Sequence, residues 1–177
     1  MKKSIIMSCM VVLMAFSLMA CGTAAKEENV SKGPEGTLSE IIDKIYTEKA
    51  LELPLATTDI DITDGELLKS YTGISDGSKV KEASVSESMI SAQAYSMVLV
   101  RVNDTKDTKT VAEEMLAGIN PSKWICVTAD DIKVAGAGDT ILLIMTATSY
   151  ADMVTAADIV DAYQTVCDGT LDFTLDK

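Results

Sequence analysis

Histidine is missing from the chain altogether. Its absence excludes Ser-His-Asp and Cys-His nucleophile systems, His-ligated zinc and imidazole acid–base chemistry. Arginine is almost missing. Arg101 is the only one, a candidate either for anchoring an anionic ligand or for a strand-end salt bridge. Aromatic rings are scarce: beyond residue 20 there are only Tyr46, Tyr71, Tyr95, Trp124, Tyr150, Tyr163 and Phe173. Carbohydrate-binding surfaces lean on exposed rings, so this composition argues against a lectin. Basic residues are outnumbered, 15 against 27 acidic ones, for a net charge of −12. Nucleic-acid binding is dominated by phosphate neutralisation, so no nucleic-acid partner is expected. The many serines, among them Ser75, Ser78, Ser84, Ser86, Ser88 and Ser91, stand in neither G-x-S-x-G nor S-x-x-K.

One long apolar run is present, and it opens the chain. Lys2 and Lys3 precede an apolar stretch from Ile5 to Ala20. It falls short of the about 20 apolar residues of a membrane-spanning helix and has the flanks of a signal peptide. It ends in Leu18-Met19-Ala20-Cys21, followed by Gly22 and Thr23. A branched residue at −3, a small one at −1 and then Cys resembles the bacterial lipobox. The resemblance implies cleavage before Cys21 and a diacylglycerol on its thiol. Two acyl chains hold a protein stably on a membrane, at about 0.8 kcal/mol per buried CH₂. The expected organisation is a signal peptide over 1–20, lipidated Cys21 with a flexible tether to 36, and one domain over 37–177. Loss of Lys2 and Lys3 deepens the net charge from −12 to −14. Such a domain is repelled by anionic headgroups and stands off the membrane.

Of the other cysteines, Cys9 leaves with the signal. Cys126 and Cys167 are a candidate disulfide outside the membrane, or two small buried thiols. Residues 22–36 are small, charged and punctuated by Gly and Pro, with a random-coil reach of roughly 20 Å.

Periodicity then sets the elements. Thr37 and Glu40 form a capping box before the stripe Leu38, Ile41, Ile42, Ile45. Asp64 opens a short helix that ends near Gly73. Residues 80–90 read as a polar strand near a sheet edge. Residues 94–102 are the clearest strand, with Val98, Val100 and Val102 on one side and Tyr95, Met97, Leu99 and Arg101 on the other. A helix carrying Val111, Ala112, Met115, Leu116 and Ile119 is stopped by Asn120-Pro121. Residues 124–127 and 132–135 read as strands. Gly136-Ala137-Gly138-Asp139 is a hairpin turn into the apolar strand 140–147. A final helix starts near Ser149 or Thr155 and stops at Gly169. Leu171, Phe173 and Leu175 suggest a closing strand. The order, α-α-β-β-α-β-β-α-β, predicts an α+β fold: an antiparallel sheet of about four to five strands with helices packed on it. Residues 97–100 and 141–145 are apolar on both sides, so both sheet faces need cover. The 38–48 helix, the 64–72 helix, a partner or an apolar ligand could supply it.

Three segments carry a further likeness: Glu66–Ile74, Val98–Asp104, and the hairpin from Asp131 to Met145, with the lipobox ahead of them. Their order over roughly residues 38–147 resembles the Firmicutes lipoproteins of the domain-of-unknown-function family numbered four-three-five-eight. Members of that family often carry an acidic residue where the main strand starts; here the stretch is Ala94-Tyr95-Ser96. The resemblance implies a Gram-positive envelope lipoprotein and no particular activity.

The remaining acids offer several chemistries. Asp59, Asp61, Asp64 and Glu66 invite a calcium reading, yet an EF-hand loop from Asp59 needs Gly and Glu where Asp64 and Ser70 stand. Their alternative role is a short strand and a helix cap. Gly136 and Gly138 lack the third glycine of a dinucleotide loop, since position 141 is Ile. Asp130-Asp131 and Glu113-Glu114 are candidate carboxylate pairs or solvated surface. The expected function is a non-catalytic interaction or binding module on the outer side of the cytoplasmic membrane, with an envelope protein as partner and no cofactor. The alternatives are a cell-wall hydrolase working through paired carboxylates and an accessory that binds a metal or small ligand.

Overall fold

A computed structural model describes residues 31–177. The segment read as a signal peptide and Cys21 lie outside the described residues. The order of elements is α1 (Leu38–Glu48), β1 (Leu55–Asp59), α2 (Gly65–Thr72), β2 (Val80–Ser88), β3 (Tyr95–Val102), α3 (Thr108–Gly118), β4 (Asp131–Ala137), β5 (Thr140–Thr146), α4 (Ala156–Val166) and β6 (Phe173–Asp176). All strands pair antiparallel in one six-stranded sheet, β1-β2-β3-β5-β4-β6. The α+β class holds, with one strand more than the upper expectation.

The helices begin where side chains can take their free N–H groups. Thr37 and Glu40 complete the capping box of α1, and Thr155 and Asp158 do the same for α4. Asp64 accepts from the N–H groups of Glu66 and Leu67 at the start of α2.

The two-faced strands β3 and β5 occupy the middle of the sheet, and helices cover both of their faces. On one face Val98, Val100, Ile141 and Leu143 pack with Leu68 of α2 and Val111, Ala112 and Met115 of α3. On the other, Tyr95, Met97, Leu99, Leu142 and Ile144 pack with Ile41, Ile42 and Ile45 of α1 and Ile159 and Tyr163 of α4. The two helices weighed as alternative covers therefore both serve, one on each face.

Two expectations are corrected. Residues 124–127 are not a strand: the connection from α3 to β4 is irregular there. Its apolar residues anchor a loop, with Trp124 and Val127 packed under the α2–α3 layer. Strand β2 is near an edge, as expected: only β1 lies outside it, paired along its outer side. Its serines look like edge residues but are internal and bonded: Tyr46 donates to Ser86 at 2.8 Å, and Ser84 donates to Asp59. Strand β1 itself, Leu-Ala-Thr-Thr-Asp, was not expected as part of the sheet.

The α2–α3 layer depends on a close approach of two backbones. Gly73 holds φ +81° at the end of α2, and a Cβ on Gly118 would sit 2.1 Å from the Gly73 carbonyl oxygen. Gly118→Ala is expected to cost about 1–3 kcal/mol as an overpacked contact. Gly65→Ala, at an open helical position, is expected to be neutral or slightly stabilising. Thermal unfolding of the two variants checks this: equal midpoints would mean that the layer is not held by the Gly73–Gly118 approach.

Candidate functional site

The sheet has two unlike ends. At one, β3 ends and β5 begins, with Arg101 opposite Thr140. Residues 31–36 lie against this end. Arg101, only 11% exposed, pairs with Glu82 and sits 3.6 Å from Asp139. Its guanidinium also donates to the carbonyl of Gly36 at 3.0 Å. Ser31 and Gly138 both donate to the Asp172 carboxylate, and Lys44 donates to the carbonyl of Glu35 at 2.8 Å. The lone arginine thus makes the strand-end salt bridge and also fastens the last part of the expected tether. Ten peptide steps separate Cys21 from Ser31, a reach of at most about 35 Å when fully extended.

The other end gathers the connections β2–β3, α3–β4 and β5–α4, since Tyr95 opposes Thr146 and Thr146 opposes Asp131. Among the described residues the strongly exposed large apolar side chains are Met89 (72%), Ile125 (68%), Ile90 (47%) and Met153 (42%). All four belong to these connections. Two of the connections touch: the Tyr150 hydroxyl donates to the carbonyl of Ala92 at 3.4 Å.

Beneath this end lies a half-buried charged cluster. Lys123 comes off the irregular loop after Pro121 and turns inward. Its ammonium pairs with Glu87, donates to the Ser96 hydroxyl at 3.1 Å, and lies 5.1 and 5.2 Å from the ring centres of Tyr71 and Trp124. Both rings present a negative face to the cation. Burial pulls the Lys123 pKa below the usual lysine value, against the opposing pull of Glu87. Beside the cluster runs a groove of about 360 Å³ between α2 and the outer strands, lined by Ala56, Thr58, Leu67, Tyr71, Val85 and Glu87 among others. Met89 lies at its rim and belongs also to the apolar end.

The acids singled out in the sequence are mostly engaged in local structure. Asp61 accepts from the amide and hydroxyl of Thr63, which holds its carboxyl below the usual range. Asp64 caps α2. Asp130 accepts from the amide and hydroxyl of Thr148, and Asp131 from the amide of Ala156. Glu114 accepts from the amide of Ser75. Asp59, Asp61 and Glu66 do not converge, and no cluster of three metal-ligating side chains occurs among the described residues. The expected hairpin forms, with Gly138 and Asp139 as its turn and Gly136 and Ala137 inside β4. Glu87, Lys123 and Tyr71 were not singled out, because three separate elements bring them together. The only local signal was a lysine beside the single tryptophan.

Cys126 and Cys167 are both free, so the pairing considered for them is not formed. Cys126 is exposed at φ +63° on the loop over the α2–α3 layer. Cys167 ends α4 in the opposite layer, with the sheet between them, and burial pushes its thiol up to about 11. A maleimide applied to the native protein is expected to label Cys126 at once and Cys167 only in denaturant. Peptide mapping that shows both labelled equally in the native state would contradict this placement.

Comparison with protein-family models, with curated proteins and with solved structures finds no match to this chain.

Proposed function

We propose that the chain is an envelope lipoprotein, anchored through Cys21, whose domain is an interaction module presenting its apolar end to a partner protein. The observation that carries this reading is the opposition of the two ends. The chain from the anchor is fastened at the Arg101 end, and the exposed Met89, Ile90, Ile125 and Met153 all stand at the other. Exposed apolar side chains that gather on one region of a monomer mark contact surfaces more often than scattered ones do. The net charge, −14 once Lys2 and Lys3 are lost, supports a domain that stands off an anionic membrane surface. The likeness of the lipobox and strand pattern to the Gram-positive lipoprotein family supports the same location.

A photo-cross-linking residue placed at Ile125 in intact cells is expected to yield a discrete protein adduct. The same residue at Lys106, an exposed position near the anchor end, is expected to yield none. Lipid adducts from Ile125, or identical patterns from both positions, would overturn the reading.

A further inference from the structure

We propose that the open edge of β1 is a docking site for an extended basic segment of the partner, which adds as a seventh strand beside the groove under α2. The inference rests on the interaction-module reading and gives the mode and chemistry of recognition.

Backbone alternation carries the first step. Met89 donates its N–H to the Pro54 carbonyl at 2.8 Å, and Ile60 donates to Ala83 at 2.8 Å. In an antiparallel ladder bonded residues alternate with unbonded ones. Pro54, Ala56, Thr58 and Ile60 therefore face β2, and Leu55, Thr57 and Asp59 turn their N–H and C=O groups outward. None of these outward groups has a partner among the described residues.

Proteins blunt such edges with lysines, bulges or very short strands. Strand β1 has no lysine, and its register with β2 is unbroken over five residues. The far edge is different. Strand β6 has four residues, Asp176 pairs with Lys133, and Lys177 reaches the Ile119 carbonyl. The fold blunts one edge and leaves the other open.

The surroundings specify what docks. Ala56 and Thr58 share the sheet face of Glu87 and Val85, so alternate side chains of an added strand would lie along the groove with Leu67 and Tyr71. Between Lys49 and Lys69 the sequence holds Glu52, Asp59, Asp61, Asp64 and Glu66 and no basic residue. A basic segment complements this charge. A second copy of the chain does not: pairing two β1 strands about Thr57 would set five carboxylates against the same five.

The test pans a random linear peptide library on the full chain held in mild detergent. Enriched peptides are expected to alternate β-branched residues with Lys or Arg, and to bind more weakly as salt rises. Thr57→Pro removes one outward N–H and spares the β2 ladder, so it is expected to weaken binding at least tenfold without moving the unfolding midpoint. As a check that leaves the protein unaltered, N-methylation of the enriched peptide is expected to abolish binding at alternate positions only. Failure to enrich peptides, enrichment of acidic ones, or indifference to both Thr57→Pro and N-methylation would overturn the proposal. A dimer that Thr57→Pro dissociates would assign the edge to a second copy instead. Protein cross-links from Ile125 that persist unchanged in Thr57→Pro would leave the interaction-module reading standing while removing this one.

Discussion

Strands β3 and β5 are apolar on both faces, and the rest of the domain is arranged to satisfy them. A sheet of this kind cannot leave either face in water; each exposed Leu or Ile would forfeit about 1.5–3 kcal/mol. The chain answers with two helical layers, α1 with α4 and α2 with α3, each holding its own apolar cluster. Burial of both faces leaves the sheet itself only its edges and its two ends on which to present a contact. Residues 31–36 join the sheet at one end, and the other carries the exposed apolar residues.

Polar groups inside the layers mark where the cover is thinner. Strand β2 lies one place from the edge, and its serines meet Tyr46 and Asp59 rather than a deep apolar layer. The Tyr46 and Tyr95 hydroxyls lie 3.3 Å apart, and burial pushes both phenols above the ordinary tyrosine value. On the other face the same region holds the Lys123–Glu87 pair under Tyr71 and Trp124. A buried ion pair is weak evidence for stability, because desolvation offsets much of the attraction. Here it also fixes the irregular α3–β4 connection to the sheet, and so places Ile125.

What could be read from the sequence follows how local each signal is. The caps at Thr37 and Asp64, the alternation of 94–102, and the hairpin that turns at Gly138 and Asp139 are written within a few residues, and each appears where expected or within two residues of it. Strand β1 was not legible because four of its five residues are exposed, which leaves no alternation to detect. Residues 124–127 misled because an apolar run can anchor a loop as well as build a strand. The near-edge place of β2 was legible in its polar run, but the partners of its serines, which come from α1 and β1, were not. The candidate site was illegible for the same reason: Tyr71, Glu87 and Lys123 meet only once the fold is formed. Arg101 was legible as a strand-end salt bridge, but not as the residue that fastens the incoming chain.

The central claim is that both faces of the sheet are closed while the β1 edge stays open, and amide hydrogen exchange resolved by residue tests it most directly. The account predicts slow exchange throughout β3 and β5. It also predicts an alternation in β1, with Leu55, Thr57 and Asp59 exchanging fast and Ala56, Thr58 and Ile60 slowly. Uniform protection along β1 would mean that its edge is already paired. Fast exchange in β3 or β5 would mean that a helical layer does not cover the sheet.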